Sequence, residues 1–353
     1  MALSTEGKLH RQKTREKGGG AVALIDVWAV LVGLAMVLYV VLDGITLGVA
    51  MLFGGFVNGK DRSVLIGTIA PVWDANQTWL LFGGGAIFAA FPAVYAVLSS
   101  GLYVPLITFI AGLIFRGVAF EFRGESERKR GWERAFFLGS LVAVLSQGMT
   151  LGGVLTGVVV RGNEFAGGPL DWLNPFSVMV GIALIPGYLM LASAYLVVKT
   201  TGSIQDRAYA IARGSTVAVL AAMAIVTIWM PFHYPLVLKH WMAAPRVYFV
   251  WTFPVIGLSA AWGLVRSVRK RRTFLPLAWA AVLFLSGYFG LLASLYPYAI
   301  PPSIKISEAA ARPESLLFTL WGALIVLPLV LAYTGYSYWV FRGKTGEEGY
   351  GHS

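Results

Sequence analysis

The sequence contains no cysteine and very little charge, and both shortages limit what the chain can be. Without cysteine, disulfides, thiolate metal sites and thiolate-ligated haem are excluded for this chain. Only 13% of its 353 residues are charged, whereas soluble domains carry about 25%. With a hydrophobic content of 57% and a mean hydropathy of +0.71, the composition predicts an integral membrane protein.

Histidine is also scarce, and its positions restrict haem and metal chemistry. The four histidines are His10, His233, His240 and His352, and none lies within an apolar run. Because membrane cytochromes usually hold b-type haem through histidines within helices, we expect no haem ligand and no metal site in this chain. A paired His233 and His240 site is the alternative to two solvated loop residues.

Nine apolar runs determine the predicted fold class. A bilayer core of about 30 Å needs about 20 apolar residues per helix, and no alternating pattern of transmembrane strands is present. We predict an all-α integral membrane protein with about nine transmembrane helices in one bundle. The predicted spans are 24–53, 73–92, 94–119, 135–160, 173–198, 208–231, 247–267, 275–298 and 316–341.

The formal charge of +11 is interpreted as topology rather than nucleic-acid binding, because Lys and Arg cluster between the apolar runs. Most of them follow the odd-numbered spans, so the positive-inside rule places the C-terminus in the cytoplasm and the N-terminus outside. The basic tail 1–20, predicted to be disordered from its composition, opposes this assignment. It precedes one transmembrane domain, 21–342, and a cytoplasmic tail, 343–353.

Two carboxylates within apolar runs are the candidate functional groups, because intramembrane charges are costly and mark pathways or paired sites. They are Asp43 in LDGITLG and Asp74 in WDANQTW, whereas Asp26 lies at the start of a span and is predicted to be interfacial. A carboxyl group removed from water binds a proton more readily, as a proton relay requires. For Asp43 the alternatives are a helix break or a contact with another chain.

Asp74 has a purely structural alternative. Gln77 and Thr78 follow it by one helical turn and can hydrogen-bond its carboxylate, which favours a proton site. An aspartate at a helix start can instead cap the helix by accepting the N–H of Asn76 or Gln77. The sequence leaves both interpretations open.

Two further groups of residues receive structural interpretations. Small residues four apart allow helix backbones to approach closely, so a set of glycines is predicted to form packing faces rather than a phosphate loop: Gly84, Gly85, Gly148, Gly152, Gly153 and Gly157. FRGVAFEFR places Arg116, Glu121 and Arg123 where the third span ends, as an interfacial ion-pair cluster or a functional entrance. The proline-rich LYPYAIPPSIKISEAAARPES predicts an ordered outer loop with a short helix near 306–311.

Taken together, these motifs resemble subunit II of the cytochrome bd family of quinol oxidases. The resemblance rests on LDGITLGVAMLF, TIAPVWDANQTWLLFGGGAIFAAFP, FRGVAFEFR, LYPYAIPPSIKISEAAARPESL and LAYTGYSYWVFRGK, and it covers roughly residues 24–352. KTTGSIQDRA and GEEGYGH are most similar to the cyanide-insensitive branch.

The resemblance implies a heterodimer in the bacterial cytoplasmic membrane. Its subunit I carries two b-type haems and one d-type haem and oxidises quinol while oxygen is reduced to water, whereas subunit II ligates no haem. Membrane lipids and a small accessory subunit are further partners to consider, and no nucleic acid is expected. The competing hypotheses are a proton-coupled secondary transporter, which would show internal repeats, and a purely structural chain.

In the family, the aspartate of the WD-x-N block is proposed to lie on a proton path from the cytoplasm toward the haems, and Asp74 matches it. Asp43, Thr46, Asn76 and Gln77 are its candidate companions. The family often has a second acid three residues after the first-helix Asp-Gly, but here that position is Thr46. A threonine hydroxyl can relay a proton without storing one, so the path runs through Asp43, through Asp74 with water, or is altered.

Overall fold

The computed structural model describes residues 2–56, 58–233 and 241–345, and its regular structure is almost entirely helical. The helices are α1 Ala2–Leu52, α2 Gly59–Ile69, α3 Trp73–Ala90, α4 Pro92–Gly101, α5 Tyr103–Glu125, α6 Lys129–Thr156, α7 Pro175–Lys199, α8 Gly202–His233, α9 Arg246–Arg269, α10 Leu275–Leu295, α11 Ile306–Ala309 and α12 Pro313–Val340. Two antiparallel hairpins pair β1 Val160–Arg161 with β2 Glu164–Phe165, and β3 Tyr298–Ile300 with β4 Ile304–Lys305.

The number of membrane spans agrees with the predicted nine. Eight helices of the described residues are long and apolar enough to cross a membrane, and α3 with α4 forms a bent pair that can supply a ninth span. The two helices meet at Phe91 with a bend of 116°. Pro92 explains this position, because proline disfavours helical dihedrals in the residue before it.

The predicted third span, 94–119, is wrong as one continuous helix. Residues 92–101 belong to α4, and α5 begins only at Tyr103. Pro105 accounts for the break, since its ring would clash with the carbonyl of Gly101 in an uninterrupted helix. In α5 it lies within the first turn, where a missing N–H is tolerated.

Helical structure also occurs where the sequence predicted none. The helix α1 begins at Ala2, within the segment 1–20 that was expected to be disordered; its Lys, Glu, Gln and Arg residues all have good helix propensity. The division into tails and one domain stays a prediction. The short helix α2 is new, and the Asn58 side chain caps it by accepting the Lys60 N–H at 3.1 Å.

The helix α7 lies at the centre of the bundle and α12 at its edge. In the most apolar stretch of α7, 67% of the residues are buried. In the corresponding stretch of α12, only 11% are buried. α7 packs against α1, α6 and α8, whereas α12 contacts mainly α3 and, less extensively, α1. The α12 face that points away from the bundle is therefore available to lipid or to another subunit.

Glycines allow the central helices to approach closely, but the predicted set is only partly correct. A Cβ at Gly148 would lie 2.6 Å from the Gly181 Cα, and one at Gly152 would lie 2.4 Å from the Ser177 Cα, so both hold α6 against α7. Gly84 and Gly85 face open space, so their predicted packing role within the chain is wrong.

The other two predicted glycines differ from each other. A Cβ at Gly153 would meet Leu102 at 2.7 Å, which agrees with a packing role. Gly157 ends α6 with a positive φ of 89°, a conformation that favours glycine. On α3 the packed glycine is Gly83, where a Cβ would meet Met36 at 2.5 Å.

The two ends of the bundle have different connections. At one end, which we call the basic end, the spans are joined by α2 and by the segments 126–128, 200–201 and 270–274, and residues 341–345 follow α12. At the other, the hairpin end, the two β-hairpins pack near α4 and α11. Here the Ala311 N–H donates to the Ala90 carbonyl at 2.9 Å, and α11 confirms the short helix predicted in this loop.

A reciprocal contact, which we call the lysine latch, fastens the segment after α12 to the α7–α8 junction. Lys199 Nζ donates to the carbonyls of Phe341 and Gly343. Lys344 Nζ donates to the Thr200 carbonyl at 3.1 Å, and the Thr345 N–H donates to the Lys199 carbonyl at 2.9 Å. The latch holds the exposed helix α12 at the basic end.

Candidate functional site

An ion pair between Asp43 and Arg116 lies in the interior of the bundle. Arg116 Nη1 is 2.8 Å from Asp43 Oδ1, and the two side chains are 2% and 0% exposed. Asp43 comes from α1 and Arg116 from α5. Gly44 helps to close this region, because a Cβ there would lie 2.5 Å from a Tyr188 ring carbon of α7. The carboxylate is thus neutralised by a guanidinium rather than left alone in the apolar core.

Thr46 completes the pair. Its hydroxyl donates to Asp43 Oδ1 and lies 2.8 Å from the Asp43 carbonyl oxygen. Arg116 Nη1 is 3.2 Å from the same hydroxyl. A carboxylate at position 46 would place two acidic side chains beside Arg116. With threonine there, Asp43 is the one acid that faces the one arginine. Thr46 therefore leaves the charges of this site balanced.

Several polar atoms around the pair have no hydrogen-bond partner among the described residues. They are the Tyr39 hydroxyl, Asp43 Oδ2, Arg116 Nε and Nη2, and the Ser140 hydroxyl. Nearby, the Tyr188 hydroxyl donates to Gln147 Oε1 at 2.9 Å. Side chains from α1, α5, α6 and α7 thus form a polar layer inside an otherwise apolar core.

The start of α3 lies close to this layer, across a tight gap between side chains. Thr46 and Arg116 line this gap together with Trp73, which precedes Asp74. The Trp73 ring contacts the Phe120 ring at 5.1 Å between centroids, so α3 and α5 are neighbours here. The lining residues are Thr46, Ile69, Trp73, Arg116, Phe120 and Phe136.

Asp74 lies outside this interior, on the surface of the chain. It is exposed in the first turn of α3, where a negative charge is favoured by the helix dipole. The N-cap is Val72, and no side chain caps the helix, so the capping alternative for Asp74 is wrong. Thr78 donates to the Asp74 backbone carbonyl at 3.3 Å rather than to its carboxylate.

Asn76 and Gln77 differ in their surroundings. Asn76 is fully buried; its Nδ2 donates to the Leu42 carbonyl of α1 at 3.0 Å. Its Oδ1 accepts from the Tyr338 hydroxyl of α12 at 3.2 Å. Gln77 is half-buried. Asn76 therefore ties three helices together beside Asp74.

The predicted interfacial cluster of Arg116, Glu121 and Arg123 is divided. Arg116 pairs with Asp43 in the interior, and Glu121 is exposed at the basic end of α5. Arg123 instead pairs with Glu133 of α6 at 2.9 Å, and Arg62 of α2 pairs with the other oxygen of Glu133 at 2.7 Å. This three-residue ion pair fastens α2 across the α5–α6 hairpin.

The sequence analysis missed the Asp43–Arg116 pair, although a signal was present. Both residues lie within predicted apolar spans, and a buried charge requires an opposite charge or a polar partner. Because Arg116 is near the end of its span, it was assigned to the membrane surface. Glu133 was missed because it lies in a segment rich in charged residues, where no single carboxylate stands out.

Within the part of the chain that the structure describes, no group of three or more His, Asp or Glu residues could hold a metal ion. The histidine side chains at 10 and 233 are not among the described side chains, and the predicted alternative of a His233 and His240 site extends outside the described residues.

The fold and the site define a multi-spanning helical membrane protein with a charge-paired polar layer inside its bundle. Comparison with known families identifies it further: residues 24–341 match the family described as cytochrome bd terminal oxidase subunit II. The chain belongs to this family and is a subunit of a terminal oxidase. This confirms the resemblance found in the motifs; assignment to the cyanide-insensitive branch stays a prediction.

Curated relatives agree with the family. The chain is 29% identical to cytochrome bd-I ubiquinol oxidase subunit 2 of Escherichia coli K12, over 91% of this chain and 95% of that protein. It is 30% identical to cytochrome bd ubiquinol oxidase subunit 2 of Bacillus subtilis, over 92% and 98%. Among solved structures, the bd oxidase from Geobacillus thermodenitrificans has a chain with a TM-score of 0.74 at 18% identity, covering 91% and 98%.

Proposed function

We propose that this chain is the subunit of a quinol:oxygen oxidoreductase that stabilises a haem-bearing subunit I and lines a proton path to it. The relatives described as ubiquinol oxidase subunit 2 support a quinol as the substrate of the complex. Two b-type haems and one d-type haem belong to subunit I in this proposal. The family match favours it over a proton-coupled transporter.

The surface of α3 and α12 is the proposed contact with subunit I. On α3, Asp74, Leu81 and Phe88 are exposed and seven residues apart, so they share one face. α12 next to it exposes Phe318, Trp321 and further large apolar side chains. An exposed patch of this extent is characteristic of a membrane or protein contact.

Asp74 carries the proton role in this proposal. An exposed carboxylate at a membrane surface is costly against lipid but can face water or a polar group of another subunit. It lies near the basic end, which the positive-inside rule assigns to the cytoplasm, and Glu121 is exposed at the same end of α5. Protons would enter at this end and pass from Asp74 toward subunit I.

The interior residues have a supporting role in this proposal. Asp43 is the counter-charge of Arg116, and Thr46 satisfies one oxygen of that carboxylate. Asn76 fixes the helix that presents Asp74, while Gln77 is its half-buried neighbour one turn further on. Thr46 and Trp73 line the same gap, so the interior pair lies close to the start of the helix that presents Asp74.

The test is Asp74→Asn in the complete oxidase complex. We expect oxygen reduction with a quinol substrate to fall at least about tenfold, about 1.4 kcal/mol in activation free energy, with unchanged haem absorption bands and subunit ratio. Asp26→Asn, at an exposed carboxylate near the start of the α1 membrane span Val22–Gly55, is the matched control and should keep full activity. Normal turnover of an intact Asp74→Asn complex would refute the proton role.

A further inference from the structure

Contacts at the basic end set the register of two antiparallel neighbours, α8 and α9. The Tyr209 hydroxyl of α8 donates to the Arg272 carbonyl just after α9, at 3.1 Å. Arg271 forms an ion pair with Asp206 and lies over the Tyr209 ring at 5.4 Å. These contacts place residues 206–209 of α8 level with residues 271–272.

In this register, two further arginines, one on each helix, lie at about the same distance from the basic end. Arg213 follows Tyr209 by four residues, about 6 Å along α8 at 1.5 Å per residue. Arg266 precedes Arg271 by five residues, about 7 Å into α9 from the same level. Both side chains are exposed, and both lie within helices that qualify as membrane spans, Gly202–Met230 and Arg246–Arg269.

Neither arginine is paired with a carboxylate among the described residues. Asp206, the acid of this region, is already paired with Arg271. Arg266 lies over the ring of Trp262 at 5.4 Å, and Trp262 is itself 67% exposed. Tryptophan is typical of the interface between membrane and water, so Arg266 lies at head-group depth.

On the same helix faces, the exposed side chains one turn further from the basic end are apolar. Val217 lies one turn beyond Arg213 and is 62% exposed, and Leu258 lies one turn before Trp262 and is 63% exposed. The surface is therefore cationic at the level of lipid head groups and apolar toward the membrane interior. This order matches a phospholipid, with an anionic head above its acyl chains.

We propose that Arg213 and Arg266 form a binding site for the head group of an anionic phospholipid at the α8–α9 edge. The phosphodiester accepts charge-assisted hydrogen bonds from the guanidinium groups, which can bind phosphate oxygens in bidentate fashion. The acyl chains lie along Val217 and Leu258. Basic sites between transmembrane helices on the cytoplasmic side are suited to such lipids.

The experiment uses the purified oxidase complex after its native lipids are exchanged for detergent. Binding of dioctanoyl phosphatidylglycerol, dioctanoyl phosphatidylcholine and inorganic phosphate is measured by native mass spectrometry and by titration. We expect the anionic lipid to bind at least about tenfold more tightly than the zwitterionic lipid. Arg213→Gln with Arg266→Gln should remove this preference.

The matched control is Arg128→Gln with Arg130→Gln, two exposed arginines of the α5–α6 connection that stand near Glu125 and Glu127. The control should retain the full preference for the anionic lipid. If the double variant at 213 and 266 does not assemble, Arg266→Gln alone should still weaken binding about threefold, the part of the preference that one of two arginines would supply.

Three results would overturn the proposal. One is an unchanged lipid preference in the assembled variants. A second is inorganic phosphate binding as tightly as the anionic lipid, which would indicate a site for free anions. The third is loss of subunit I from the variant with lipid binding intact, which would indicate a protein contact.

Discussion

Asp43 and Asp74 lie in two regions of one apolar bundle, and the surroundings of their carboxylates are opposite. Asp43 is fully buried and is held by Arg116 and Thr46. Asp74 is exposed at the start of α3, and its carboxylate has no hydrogen-bond partner in the described part of the chain. The interior neutralises its charge within the subunit, whereas the surface leaves its charge available to water or to another subunit.

Because of this difference, substitutions in the two regions should affect different properties of the complex. A change in the interior acts first on stability, because an uncompensated charge in a low-dielectric core is costly. A change at Asp74 should leave stability nearly unchanged, because no contact of its carboxylate holds the fold together, and in the proposed function it lowers turnover. The four predictions that follow test this division, from the largest expected effect to the smallest.

Arg116→Met should have the largest effect on stability. It leaves Asp43 buried without its counter-charge, and breaking a buried ion pair costs about 3–5 kcal/mol. Thermal unfolding of the purified complex should show this loss, together with a lower yield. Arg116→Met combined with Asp43→Leu should recover most of it, because an apolar pair can replace a buried ion pair. A stable single variant would show that the pair does not neutralise Asp43.

Thr46→Val should cost about 1.5–3 kcal/mol, the usual contribution of a hydrogen bond to a charged group. Chemical denaturation of the complex, followed by haem absorption, measures the loss. Thr78→Val is the matched change beside Asp74: its hydroxyl bonds a carbonyl of its own helix, and we expect a change within about 0.5 kcal/mol. Equal losses at the two positions would contradict the proposed contrast between interior and surface.

Gly148→Ala should destabilise the complex by about 1–3 kcal/mol, because the new methyl group forces α6 away from α7. The clash is with backbone, 2.6 Å from the Gly181 Cα, so no side-chain rotation relieves it. Gly214→Ala on the exposed side of α8 meets no atom within 4 Å and should be neutral or slightly stabilising. Thermal unfolding of both variants provides the comparison, and a neutral Gly148→Ala would contradict the tight α6–α7 contact.

Glu308→Gln at the hairpin end should have the smallest effect, and that effect should be present near neutral pH and vanish in acid. The Lys305 backbone N–H donates to the Glu308 carboxylate at 3.2 Å and holds the pKa of that carboxyl below its usual value of 4.5. A lowered pKa in the folded state contributes stability above the unfolded pKa and loses it as the pH falls through the folded value.

The measurement is the unfolding temperature of wild type and Glu308→Gln between about pH 6 and about pH 3. Wild type should lose slightly more stability than the variant across this interval, since only wild type has a carboxylate to protonate there. Parallel curves would show that the contact contributes nothing.

The sequence predicted the spans and the family well, because both depend on local signals. Apolar runs of about 20 residues identify membrane helices without tertiary information, and the WDANQTW and FRGK blocks are continuous in the chain. The break at Leu102 was accessible in principle from Pro105, but hydropathy alone joined the two helices. Local signals therefore located the helices more reliably than their ends.

Two of the ion pairs could not be predicted, because each joins distant parts of the chain. Asp43 and Arg116 are 73 residues apart, and Arg62 and Glu133 are 71 residues apart. Spacing within a helix reveals neighbours only one turn away. The same limit explains Asn76, whose role became visible only through contacts with Leu42 and Tyr338.

The lysine latch can form only late in the synthesis of the chain. It joins Lys199 and Thr200, near the middle of the chain, to residues 341–345, which leave the ribosome after all the spans. A chain interrupted just before Phe341 would contain every membrane helix but lack these contacts. The attachment of α12 at the basic end therefore depends on residues that follow its last turn.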